Sequence, residues 1–167
     1  VQLIESLPND YQVVLSGAPI DQDRELNQSI IDLLSDSARN RVLNLDGRLK
    51  LDQLGSLLRK AALYIGVDTS VTHLAAACNT PTITLFGATP PTNFGPWPNG
   101  FSGKQPYQLR ARSQKVGNVT ILQGPGECVP CRKAGCEDRS DSKSDCLVNL
   151  PVTDVINAAK SYGINCS

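Results

Sequence analysis

The chain has 167 residues, 40% of them hydrophobic and 5% aromatic, with sixteen Lys and Arg balancing sixteen Asp and Glu. That length suits one compact domain with a real core, or half of a larger two-domain enzyme. A net charge of zero gives no field to favour DNA, RNA or an anionic membrane, and no apolar run approaches the roughly 18 residues of a membrane span.

Nothing at the start resembles a secretory signal, and the chain contains no Met. The opening VQLIESLP reads as the tail of an amphipathic helix, so a fragment whose upstream partner is missing is expected. Val13, Val14 and Leu15 then make a short apolar run ending at Gly17 and Pro19, a buried strand leaving into a loop. RELNQSIIDLLSD places Leu26, Ile30, Leu33 and Leu34 at helical spacing. RVLNLDG is a second strand, and LKLDQLGSLLRKA a second helix with Leu51, Leu54, Leu57 and Leu58 on one face. ALYIGV, SVTHLAAAC and TITLF continue as strand, helix and strand.

This alternation through residue 86 predicts a Rossmann-like α/β fold, a parallel sheet of about five strands with helices on both faces. Gly87 to Gly126 changes character: a Pro/Gly-rich loop over 87–106 is followed by a Cys-rich loop over 126–147. PVTDVINAAKSYG closes the chain as a helix, with Val152, Val155, Ile156 and Ala159 inward and Gly163 at its exit. No repeat or domain boundary is visible, so one domain over 1–167 is expected. Two Asn-x-Ser/Thr triplets, at Asn27 and Asn118, carry almost no weight without a signal peptide.

In parallel sheets ligands bind at the carboxyl ends of strands, in loops leading into helices. SGAPIDQDRE and GVDTSVTH are such loops. In the second, Asp68, Thr69 and Ser70 open a helix whose first turn has unpaired N–H groups and a partial positive charge, both suited to a phosphate. Ala75, Ala76 and Ala77 let that helix lie close against the sheet. The plainer reading stands beside this one: Asp68 or Thr69 is a helix cap and His73 a packed core histidine.

YIGVDTSVTHLAAACNTPTITLFGATPP closely resembles the donor-site segment of glycosyltransferase family 9, the ADP-heptose:lipopolysaccharide heptosyltransferases. VVLSGAPIDQDREL resembles that family's strand-Gly-x-x-x-acid segment, and CVPCRKAGCEDRSDSKSDCLVNLPVTDV its Cys-x-Pro-Cys…Cys…Cys segment. The resemblance implies the carboxy-terminal, nucleotide-sugar-binding half of a GT-B enzyme. It implies transfer of heptose from ADP-heptose to a lipid-linked lipopolysaccharide core acceptor, without a cofactor or metal in catalysis. The catalytic carboxylate base is expected in the other domain and the phosphate-binding lysine upstream of Val1, so no catalytic residue is expected here and the fragment alone should be inactive. Donor contacts are implied for Asp68 (sugar hydroxyls), Thr69 and Ser70 (pyrophosphate), His73 (beside the donor), Asp21 (ribose) and Thr89 (closing loop). Ser70 departs from the family's commonest Gly. The implied location is cytoplasmic, whether or not peripheral at the inner membrane. Two other readings remain: a non-catalytic nucleotide- or metal-binding module, and another GT-B enzyme such as a nucleotide-sugar epimerase.

Cys128, Cys131, Cys136 and Cys146 lie in a charged, turn-rich loop. Close thiolates there suit a tetrahedral sulfur site for zinc or iron. Four reduced thiols is the competing reading, and disulfides the least expected in a cytosolic chain.

Overall fold

The structure, a computed structural model, describes residues 1–139 and 141–166. The chain divides into two compact units, Val1–Leu54 with the residues from Ala159 onward, and Gly55–Ala158.

In the first unit α1 (Gln2–Ser6) precedes β1 (Val13–Leu15), α2 (Asp21–Asp32), α3 (Asp36–Arg39) and β2 (Val42–Asn44). β1 and β2 pair in parallel, Val13 opposite Val42. Ile4, Leu34 and Ala38 form the core, with Val13, Leu15, Ile30 and Val42 packed against it. Polar ties supplement so small a core. The Arg41 guanidinium donates to the carbonyls of Ile4, Leu7 and Tyr11. The Glu5 carboxylate accepts from the Ser35 N–H at 2.7 Å and its hydroxyl at 2.9 Å, and these bonds hold its carboxyl below the usual carboxylate range. Ser35 in turn caps α3 by accepting from the Ala38 N–H. The amide of Asn27, a buried residue, donates to Asp46. Leu26 and Leu33, placed by the sequence at helical spacing, are 59% and 72% exposed. Leu33 is the C-cap, one residue past the end of α2, and the spacing of Leu26 marks a face without supplying a cover.

The next helix, α4 (Leu51–Lys60), buries Leu58 but leaves Leu51, its first residue, exposed. The second unit then runs β3 (Tyr64–Val67), α5 (Ser70–Ala77), β4 (Thr82–Phe86), α6 (Pro91–Phe94), β5 (Ser113–Val116), β6 (Val119–Gln123), α7 (Asp145–Val148) and the start of α8 (Val152–Lys160). Its sheet has the order β3-β4-β6-β5. β3–β4 and β4–β6 are parallel, but β5 pairs antiparallel with β6. An all-parallel sheet is thus corrected: only Gly117 and Asn118 separate β5 from β6, a connection open to antiparallel strands alone. Gly117 meets the turn's demand with φ of +55°. Among the described residues six strands lie in two sheets, where a single sheet of about five was expected.

Both α6 and the β5–β6 hairpin fall in the stretch from Gly87 to Gly126 that reads as irregular. β6 is buried at every position and β4 at four of five, as strands covered on both faces must be. Ala76, Phe86, Tyr107, Val119 and Ile121 make one buried cluster. Asn118 closes the far end of α5. Its amide donates to the carbonyls of Ala76 at 3.0 Å and Thr80 at 2.9 Å, while its oxygen accepts from the Asn99 N–H at 2.9 Å. In α8, Val155 and Ala159 are buried as expected, and Gly163 exits with φ of +84°. Among the described residues no helix is long and apolar enough to cross a membrane.

Candidate functional site

Parallel pairing aligns the carboxyl ends of β3, β4 and β6, with Val67 opposite Leu85 and Phe86 opposite Gln123. The turn after β3, the loop after β4 that carries Thr89, and the cysteine segment after β6 all leave from this edge.

At the β3–α5 turn the N-cap is Thr69, in extended conformation, and its side chain makes no capping bond. Asp68 therefore lies one residue outside the helix and is not its cap. The Asp68 carboxylate stands 3.7 Å from Nε2 of His73, with the two side chains 21% and 48% exposed. A half-exposed ring is not a core histidine, whereas of the two cap candidates Thr69 does hold the N-cap position, without a side-chain capping bond. The Thr69 carbonyl accepts from the N–H groups of Thr72 and His73. Those of Ser70 and Val71 come too early for partners within the helix, which leaves a donor pair at its positive end. Ala75 and Ala76 are fully buried as expected; Ala77 is exposed and takes no part in the close packing.

A second layer holds the turn. Thr72, fully buried, donates its hydroxyl to the Val67 carbonyl and lies 3.1 Å from the Tyr64 hydroxyl and 3.5 Å from that of Thr69. The Tyr64 ring reaches Thr72 by lying across Gly66, where an added Cβ would strike the ring. Neither Thr72 nor Tyr64 is singled out by the sequence reading. The available signal is Gly66 itself, since a glycine two residues after a Tyr in a strand leaves room on the same face.

The cysteine segment leaves the same edge and makes a cavity of about 310 Å³, lined by Cys128, Cys131, Cys136 and Cys146 together. All six cysteines of the chain are free thiols. Cys146 is buried in α7, and its sulfur presses on Gly87, where an added Cβ would come within 2.7 Å of it. Burial pushes the Cys146 thiol up from its ordinary value. The Asp145 N–H donates to the Cys136 sulfur at 3.2 Å, and the Arg132 N–H to the Ala88 carbonyl at 2.8 Å. As they stand, no three His, Cys, Asp or Glu side chains among the described residues are placed to hold a metal ion.

With this geometry in view, the sequence profile described as glycosyltransferase family 9 (heptosyltransferase) matches residues 2–114. The chain belongs to glycosyltransferase family 9. Lipopolysaccharide heptosyltransferase 3 of Escherichia coli is 38% identical over 115 residues, which are 67% of this chain and 33% of that protein. The chain thus spans about a third of the length of this curated relative. Among solved structures, ADP-heptose lps heptosyltransferase II of E. coli superposes with a TM-score of 0.66 at 20% identity, covering 91% of this chain and 36% of the other. A glycosyltransferase family 9 protein of Veillonella parvula superposes with a TM-score of 0.59 at 17% identity and the same two coverages. These two show the shared α/β fold with its parallel sheet.

The family 9 match takes in the Asp68–His73 turn and Thr89 but ends before the four cysteines of the loop. Asp68, Thr69, Ser70 and His73 are brought together on one turn, and Thr89, partly buried, sits in the loop from the neighbouring strand. Asp21 belongs to the first unit. It lies in the first turn of α2, which starts three residues before the expected RELNQ, and its side chain is 89% exposed with an ion pair to Arg24 at 3.1 Å. Asp23, not Asp21, ties the preceding loop by accepting from the Ala18 N–H at 2.7 Å.

Proposed function

We propose that this chain supplies the nucleotide-sugar site of a heptosyltransferase that takes heptose from ADP-heptose and passes it, in the cytoplasm, to a lipopolysaccharide core acceptor. Membership of the family and the names of the relatives support the class of reaction. The observation that carries the site is the β3–α5 turn, where an uncapped helix start and an accessible Asp–His pair sit side by side.

The chemistry follows from charge. As the glycosidic bond to the diphosphate breaks, negative charge grows on the leaving pyrophosphate. The Ser70 and Val71 N–H groups and the α5 dipole stabilise that charge without reorganising. The Thr69 hydroxyl, uncommitted as a cap, adds a donor. Asp68, accepting only, suits the hydroxyls of the sugar, and His73 holds its orientation. Thr89 closes over the nucleotide from the next loop. Deprotonation of the acceptor hydroxyl falls to a carboxylate elsewhere in the protein. In the first unit, and tested by itself, Asp21 accepts from a vicinal hydroxyl pair of ribose type, because its ion pair with Arg24 is screened by solvent.

Titration with ADP under NMR observation tests the assignment. The expected outcome is amide shifts centred on Asp68 to His73, largest at Ser70 and Val71. Shifts confined to residues away from this turn would refute it, and shifts here without glycosyl transfer by the full-length protein would favour a nucleotide-binding module.

A further inference from the structure

Four thiols from a segment of nineteen residues, Cys128 to Cys146, line one cavity. Simple burial does not account for them: Cys128 and Cys136 are exposed, Cys131 is half-buried and only Cys146 is covered. Exposed thiols serving as small apolar side chains would have no reason to gather.

We propose that the cavity lined by Cys128, Cys131, Cys136 and Cys146 binds one zinc ion through its four sulfurs. The Cys128-x2-Cys131 pair has the ligand spacing common in structural zinc sites, and a four-sulfur set of soft donors selects zinc over hard cations. Zinc is favoured over an iron–sulfur cluster because two of the four residues, Cys128 and Cys136, are exposed and the cavity is open to solvent. One outer contact of the kind that orients ligands is already in place: the Asp145 N–H donates to the Cys136 sulfur. Since the four side chains do not yet converge as ligands, binding draws the Cys128–Cys136 turn inward to sulfur–zinc distances of about 2.3 Å. Left-handed residues at both ends, Gly126 and Gly135, and at Arg132 between them, make this segment a chain of turns and not a rigid element.

The closure has a direction. Arg132 already holds the Ala88 carbonyl, and the Cys146 sulfur rests on Gly87. A zinc ion among these sulfurs therefore pins the Gly87–Thr89 turn from behind. The pinning matters for donor binding only if the proposed function holds, whereas metal binding itself does not depend on it.

The test uses protein purified without chelator, with elemental analysis, cobalt(II) exchange and cysteine alkylation read by mass spectrometry. Expected are one zinc per chain, sulfur-to-cobalt charge-transfer absorption after exchange, and protection of these four cysteines that chelation removes. Cys131→Ser should lose the metal. If that variant fails to fold, the comparison of alkylation before and after chelation on the unaltered protein decides alone. Four equally reactive thiols with no bound metal, a disulfide among them, or the visible spectrum of an iron–sulfur cluster would each overturn the proposal.

Discussion

The β3–α5 turn and the cysteine turn leave the same edge of one sheet, yet they are held in opposite ways. At the first, the polar side chains lie on or within two residues of β3 and α5, and a buried hydroxyl, Thr72, ties one element to the other. At the second, only Cys146 sits on a helix, while Cys128, Cys131 and Cys136 hang on a run of turns between β6 and α7, tied by backbone bonds such as Arg132 to Ala88 and Cys136 to Lys143. Regular elements set a geometry before any ligand arrives; turns leave it to be completed by one.

Four changes break or sharpen this contrast. The largest effect is expected at the joint of the cysteine turn. Gly124→Ala drives a Cβ into the Cys146 backbone, which cannot yield as a flexible side chain would, and should lower unfolding stability by about 3 kcal/mol in urea denaturation. Wild-type stability in that variant would mean α7 is loosely docked.

Next comes Asp68→Asn in the full-length protein. If Asp68 binds the donor as proposed, losing one charge-assisted hydrogen bond, about 1.5–3 kcal/mol, should lower kcat/KM roughly 10- to 150-fold. Tm should be unchanged, because Asp68 is not the cap of α5 and, among the described residues, its carboxylate pairs with His73 alone, at 3.7 Å. His73→Ala should likewise spare Tm, since half its ring is in solvent.

Thr72→Val should do the reverse, costing about 1 kcal/mol of stability through the lost bond to the Val67 carbonyl and the contact with Tyr64. Its effect on catalysis should be smaller than that of Asp68→Asn. A catalytic defect larger than that of Asp68→Asn would move Thr72 from support to ligand contact.

The smallest effect lies in the first unit. Glu5 has a depressed pKa in the folded state because it accepts two bonds from Ser35, so its contribution is present above the ordinary carboxylate pKa and is lost as pH falls through the lowered one. Glu5→Gln should thus reduce stability slightly at neutral pH, and the difference should vanish in acid. A difference that grows in acid would contradict the bond geometry.

Much of this was legible in the residues. Apolar runs with β-branched residues located β1 to β4, and helical spacing located α2, α4, α5 and α8. Asp68, Thr69, Ser70 and His73 were found because a strand-turn-helix junction concentrates them within six residues. The hairpin was not found: Gly117-Asn118 is a hairpin signal, but β5 before it, Ser113–Val116, is a polar stretch with no strand pattern of its own. Prolines and glycines earlier in the stretch from Gly87 to Gly126 masked it. The exposure of Leu26, Leu33 and Leu51 was not legible, because periodicity says which residues share a face and is silent on whether anything covers it. Thr72 was passed over because its importance lies in two partners, the Val67 carbonyl and Tyr64, that only the folded chain brings within reach.

The two Asn-x-Ser/Thr triplets take on practical weight once their side chains are seen at work. The Asn118 amide is spent on the carbonyls of Ala76 and Thr80, and the Asn27 amide, on a buried residue, on Asp46. A glycan attached at either nitrogen would remove a donor and set a bulky hydrophilic group where the chain must close. Routed through a eukaryotic secretory pathway, this sequence would be tagged before folding at two points that folding needs bare. A bacterial cytoplasm imposes no such modification, so the choice of expression host is itself a determinant of whether this chain reaches its native state.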